Sequence, residues 1–85
     1  MALPPPSPNA LKITCFFLDN PNSIDTPRGV SAWTNITLGE TRKILEELAR
    51  RGILSAYRTS STVGYSLTQN KKILKTVHEL VKKAA

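Results

Sequence analysis

Cysteine is almost missing from this 85-residue sequence: Cys15 stands alone, so no intrachain disulfide can form. A lone thiol fits a reducing compartment, and the chain reads as cytoplasmic. No apolar run approaches the ~20 residues that span a bilayer, so no membrane partner is expected. No basic start leads into an apolar stretch, so nothing reads as a secretory signal. Acidic residues are scarce, with Asp plus Glu at 6 against 12 for Lys plus Arg and a net charge of +6. The resulting pI near 9.9 suggests an anionic partner, nucleic acid or a lipid surface, without choosing between them. Chemistry-bearing patterns are missing as well. The sequence holds no Gly-rich phosphate loop, no Ser/His/Asp set and no evident carboxylate pair, so it is not read as an enzyme. Cys15 and His78 are too few and too far apart in sequence for a metal site, and no cofactor is expected. Length excludes still more. A chain this short buries only about 60–65% of its unfolded surface, which leaves no room for an α/β barrel or a full dinucleotide fold.

The charge that is present is unevenly placed. Lys71, Lys72, Lys75, Lys82 and Lys83 face Glu79 alone, whereas residues 1–70 carry seven basic and five acidic side chains. Most of the net charge therefore belongs to the last helix, which limits what pI alone says about nucleic acid.

Along the chain, residues 1–8 end in Pro4-Pro5-Pro6-Ser7-Pro8 and read as a flexible or extended, Pro-rich N-terminal arm. Asn9 is a candidate cap for a first helix carrying Leu11, Ile13, Cys15, Phe16, Phe17 and Leu18, which Asp19-Asn20-Pro21-Asn22 ends. Helix is preferred to strand over Ile13–Leu18, and Cys15 reads as a small core residue. Thr26-Pro27 opens a second helix with Val30 and Trp33 as its apolar face, Trp33 being a core or half-buried anchor. Asn35 ends it. Thr37-Leu38-Gly39-Glu40 is a capping box that starts a third, amphipathic helix burying Ile44, Leu45 and Leu48. Arg50 and Arg51 suit the dipole of its last turn, and Gly52 suits the left-handed position beyond it. The stretches Leu54–Thr59 and Thr62–Leu67 flank Ser60-Ser61 and read as a β-hairpin. A final amphipathic helix carries Ile73, Leu74, Val77, Leu80, Val81 and Ala84 on one stripe, with His78 exposed.

Helix, short capped helix, tight turn, longer capped helix, hairpin, helix is the order of a winged helix-turn-helix domain, α+β but mostly α. The residues resemble ArsR/MarR-type prokaryotic transcription regulators. The match runs over Val30-Ser31-Ala32-Trp33-Thr34-Asn35-Ile36-Thr37, continues through Leu45, Leu48, Gly52, Ile53 and Leu54, and closes on Tyr65-Ser66-Leu67-Thr68. It holds without a gap from Thr26 to Thr68. The sequence departs from the family in lacking a Gly-Arg pair at the hairpin tip, and in having Gly29 and Thr34 where Glu and Leu are frequent.

The resemblance implies a winged-helix domain over residues 9–68 followed by a packing or dimerisation helix over 69–85. It implies a regulator that reads double-stranded DNA as a homodimer, cytoplasmic and nucleoid-associated when bound. Carried over by position, the major-groove face is Thr37, Leu38, Gly39, Glu40, Arg42 and Lys43. Arg42 or Lys43 would reach guanine O6/N7 or a phosphate, and Leu38 a thymine methyl or a protein. The bland alternative for Arg42 and Lys43 is a solvated face paired with Glu46 and Glu47. Arg58, Ser61 and Thr62 form the wing, near the backbone or minor groove. Ile73, Val77, Leu80, Val81 and Ala84 form the candidate dimer stripe. Three cations, Arg42, Lys43 and Arg58, imply a shallow salt slope on the order of three phosphates per subunit. The runner-up is a winged-helix module that meets another protein through the same surface, which the apolar Leu38 and the nearly uncharged wing favour.

Overall fold

The computed structural model describes residues 7–84; residues 1–6, Ala85 and the side chain of Ala84 fall outside that description. The elements are α1 (Pro8–Asp19), α2 (Pro27–Thr34), α3 (Leu38–Arg50), β1 (Leu54–Arg58), β2 (Val63–Leu67) and α4 (Lys71–Ala84). Their order is the one the sequence predicts.

Helix α1 starts earlier than Asn9 suggests. The Ser7 hydroxyl accepts the Ala10 N–H at 3.2 Å, and Pro8 occupies the first helical position, where a missing N–H is harmless. The helix therefore begins inside the segment read as a proline arm, whose first six residues lie outside the described ones. Freed from capping, Asn9 donates from Nδ2 to the Glu40 carboxylate on α3 at 2.8 Å. This contact replaces half of the expected capping box. Thr37 Oγ1 accepts the Glu40 N–H at 3.3 Å, while the Glu40 side chain is turned towards α1 instead.

Helix α2 is capped by Thr26, whose hydroxyl accepts the Gly29 N–H at 3.2 Å, and ends at Asn35 with φ 59°. A left-handed residue is what closes a tight turn, and Asn tolerates that backbone better than most. The inward face of α2 is Pro27, Val30 and Thr34 rather than Val30 and Trp33. Thr34 can take the buried place because its hydroxyl bonds the Val30 carbonyl at 2.7 Å. Trp33 points away and is 77% exposed, so it is not an anchor of the core.

Helix α3 buries Thr41, Leu45 and Leu48, with Ile44 half-buried beside them. Its end is a Schellman closure: the Gly52 N–H meets the Ala49 carbonyl and the Ile53 N–H the Leu48 carbonyl, both at 3.0 Å. Gly52 has φ +79°, a conformation that side chains resist.

The hairpin pairs Leu54 with Leu67 through Arg58 with Val63, leaving a four-residue loop over 59–62. A contact with no local signature holds it to the helices: Asp25 and Tyr65 exchange both backbone bonds, at 2.9 and 2.8 Å. The approach is close enough that a Cβ on Gly64 would lie 2.8 Å from Ile24 Cγ2. The core joins Ile13 and Phe17 of α1, Val30 of α2, Leu45 and Leu48 of α3, Tyr65 and Leu67 of β2, and Val77 of α4. Cys15, expected in the core, is only half-buried and stands outside this cluster, on the α1 face that meets the groove beside Trp33. Asn70 starts α4 by accepting the Lys72 and Ile73 N–H groups on Oδ1, at 3.0 and 3.2 Å.

Candidate nucleic-acid interface

The α2–α3 turn is held by one carbonyl. Ser31 Oγ and Thr41 Oγ1 both donate to the Ile36 oxygen, the second at 3.4 Å, and Ile36 itself is buried. A small residue at 31 and a hydroxyl at 41 thus fix the angle at which α3 leaves α2. With Thr41, Leu45 and Leu48 turned inward, Gly39, Glu40, Arg42 and Lys43 are turned outward, and all four are exposed. Leu38 is half-buried. Thr37 is exposed, but its hydroxyl already accepts a backbone bond. The Glu40 carboxylate is engaged by Asn9, which lies beside the face expected to read bases.

The ion pairs on α3 separate its cations into two groups. Glu47 is taken by Arg50 and Arg51, each at 2.8 Å. The solvated-face pattern in which Glu46 and Glu47 neutralise Arg42 and Lys43 is not formed: among the described residues, neither Arg42 nor Lys43 has an ion-pair partner. Arg58, on the last position of β1, is likewise exposed and unpaired. Ser61 and Thr62 lie exposed in the wing loop. The loop is stiffened by Thr59, whose hydroxyl donates to the Thr62 carbonyl at 3.1 Å and accepts the Thr62 N–H at 3.1 Å.

The space between α3 and the wing is a cleft of about 540 Å³. Arg42 and Arg58 line it together with Ser61 and Thr62, and so does Arg28 at the second position of α2, which sequence reasoning missed. No local pattern marks Arg28; only the non-local seating of the wing on α2 brings it there. A second, shallower groove of about 450 Å³ lies between α1 and α2, bordered by Leu11, Cys15, Phe16 and the exposed Trp33. Behind the wing, burial raises the Tyr65 phenol above its usual 10.0; Glu46 adds to the shift and Arg58 opposes it.

On α4, Val77 is buried against its own domain, and Ile73, Leu74 and Val81 pack partly on the same core. Leu80 is half-buried without belonging to that cluster. His78 is exposed. Among the described residues, no three His, Cys, Asp or Glu side chains converge, and no helix is long and apolar enough to cross a membrane.

A helix-turn-helix closed by a left-handed Asn, followed by a two-stranded hairpin folded back beside the second helix, defines a winged helix-turn-helix domain. Solved structures share that fold. A possible transcriptional regulator from Methanosarcina mazei Go1 superposes with a TM-score of 0.72 at 14% identity, covering 92% of this chain and 69% of that one. A MarR family protein from Bacillus stearothermophilus gives 0.69 at 17% identity, covering 95% of this chain and 55% of that one. The YusO protein from Bacillus subtilis gives 0.68 at 11% identity, covering 91% and 56%. The chain thus spans little more than half the length of the latter two. No family model matches the sequence, and no curated protein sequence matches it either.

Proposed function

We propose that the chain is a DNA-binding transcription regulator that places α3 in the major groove of duplex DNA and lays the wing along the backbone. The observation that carries this reading is the sorting of arginines. Arg50 and Arg51 are tied to Glu47, whereas Arg42, Lys43 and Arg58 are exposed and have no ion-pair partner among the described residues, Arg42 and Arg58 lining one cleft. Unpaired cations on a helix and a hairpin tip are what polyanion binding needs, because each phosphate contact releases a counterion. The names of two of the fold's relatives, a possible transcriptional regulator and a MarR family protein, support the same class and not an enzyme.

Within this reading, Lys43 and the open surface at Gly39 face base edges, and Leu38 meets a thymine methyl. Thr37 caps the helix start, and Glu40 ties it to Asn9 of α1. Two copies pair through α4, with Leu80 at the centre and the half-buried Ile73 and Val81 alongside, while Val77 stays in the core of its own domain, and read a pseudo-palindromic site. The half-buried Leu38 and the single charge on the wing favour a second reading, a winged helix that docks on a protein. A random-sequence DNA selection on the purified chain, followed by polarisation titrations of the recovered duplex, separates them. Micromolar or tighter, sequence-dependent binding supports the regulator; binding only at millimolar protein supports the docking module.

A further inference from the structure

We propose that the cleft between α2, α3 and the wing is a seat for one phosphodiester group of the duplex, with Arg28 as a member. This rests on the DNA-binding reading above and goes beyond it, because it replaces the separate contacts of Arg42 and Arg58 by one shared phosphate and adds a residue from the first helix of the motif. Three arginines enter one cleft of about 540 Å³ from three different elements: Arg28 from α2, Arg42 from α3 and Arg58 from β1. No Asp or Glu lines it, and none of the three arginines has an ion-pair partner among the described residues. Guanidinium groups gathered without a counter-charge repel one another, and an anion between them removes that cost. Planar N–H forks match phosphate oxygens in pairs, so arginine rather than lysine is suited to the place.

The walls of the cleft are set before any ligand arrives. Arg28 follows Pro27, which is buried at the helix start beside the Thr26 cap. Arg58 closes a β-ladder, and its loop is braced by the Thr59 hydroxyl. The Ser61 and Thr62 hydroxyls line the same cleft with no partner of their own among the described residues, so each can donate to a phosphate oxygen. A seat of this kind fixes the distance between α3 and the backbone and thereby the depth of α3 in the groove. It also decides between base and phosphate for Arg42 in favour of the phosphate, leaving Lys43 as the cation at the base edges. The salt slope then falls from about three phosphates per subunit to about one, that of the cleft.

The test uses the full chain and the duplex recovered by selection, with single methylphosphonate linkages that neutralise one phosphate at a time. For the unaltered chain, one position per half-site is expected to weaken binding about 10-fold. That same position should have little effect on Arg28→Ala or Arg58→Ala, and the doubly substituted chain should bind within about 2-fold of the weaker single variant. Arg50→Ala, whose arginine already pairs with Glu47, should respond like the parent. Arg28→Lys keeps the charge and should retain the salt slope while losing part of the affinity, provided its circular dichroism and melting match the parent. If the parent binds the duplex and Arg28→Ala binds it equally well, or if Arg28 and Arg58 map to different phosphates, the seat is overturned while DNA binding stands. Displacement of the duplex by inorganic phosphate at matched ionic strength, with every methylphosphonate silent, assigns the cleft to the free ion and also overturns it. No duplex binding by the parent removes the regulator reading itself.

Discussion

At the scale of single residues, what matters is which polar groups are already satisfied. The two hydroxyls on the Ile36 carbonyl, the Thr34 hydroxyl on Val30 and the Thr59 hydroxyl across the wing loop are all committed to backbone. The arginines of the cleft and Lys43, by contrast, have no ion-pair partner among the described residues. Trp33 shows the same logic on the apolar side. Being 77% exposed, it should change stability by no more than about 0.5 kcal/mol when replaced by Ala, whereas Val30→Ala, at a fully buried position, should cost about 1–3 kcal/mol. Urea titrations of the two variants check this. Tyr65 gives a pH signature. Its phenol holds the proton more tightly in the folded chain than in the unfolded one, so its share of stability is complete below pH 10.0 and is lost as pH rises through the higher folded value. Tyr65→Phe should therefore flatten the alkaline fall in stability and leave its pH dependence near neutrality unchanged.

At the scale of elements, the wing depends on a contact that crosses the fold. Gly64 lies where a Cβ would meet Ile24 Cγ2 at 2.8 Å, next to the Asp25–Tyr65 bridge. Gly64→Ala should cost about 1–3 kcal/mol, and Ile24→Ala introduced with it should recover a good part, which a double-mutant cycle of thermal melts measures. The elements themselves were legible because their signals are local. Thr26-Pro27, Thr37 with Glu40, Gly52 after the last turn and the alternating hairpin each encode a boundary within four residues. What was not legible is what depends on distant packing. Asn9 looked like a cap until Pro8 and Ser7 claimed that place, and Glu40 completed a capping box on paper while its carboxylate is turned to Asn9. Trp33 fell on the apolar spacing of a short helix whose narrow inward stripe had room for Thr34 instead. The Asp25–Tyr65 bridge and the entry of Arg28 into the cleft join residues that are 40 and 30 positions from their partners Tyr65 and Arg58, beyond any local pattern.

At the scale of the whole molecule, the charge of +6 divides by role rather than by amount. Five lysines belong to α4, whose apolar side is partly used by its own domain through Val77. Two arginines neutralise Glu47, and three converge on the cleft. Leu80, outside the core cluster, is the residue on which the proposed pairing of two copies rests. Leu80→Glu should yield monomers by sedimentation without loss of helical signal, while Val77→Glu should unfold the chain, since it puts a charge at a buried site. The account stands most directly on the salt dependence of duplex binding by the full chain. It predicts that log affinity for the selected duplex falls with log salt at a slope of about one phosphate per subunit, with sequence preference kept across the series. A slope near zero, or equal affinity for selected and random duplexes, would contradict it.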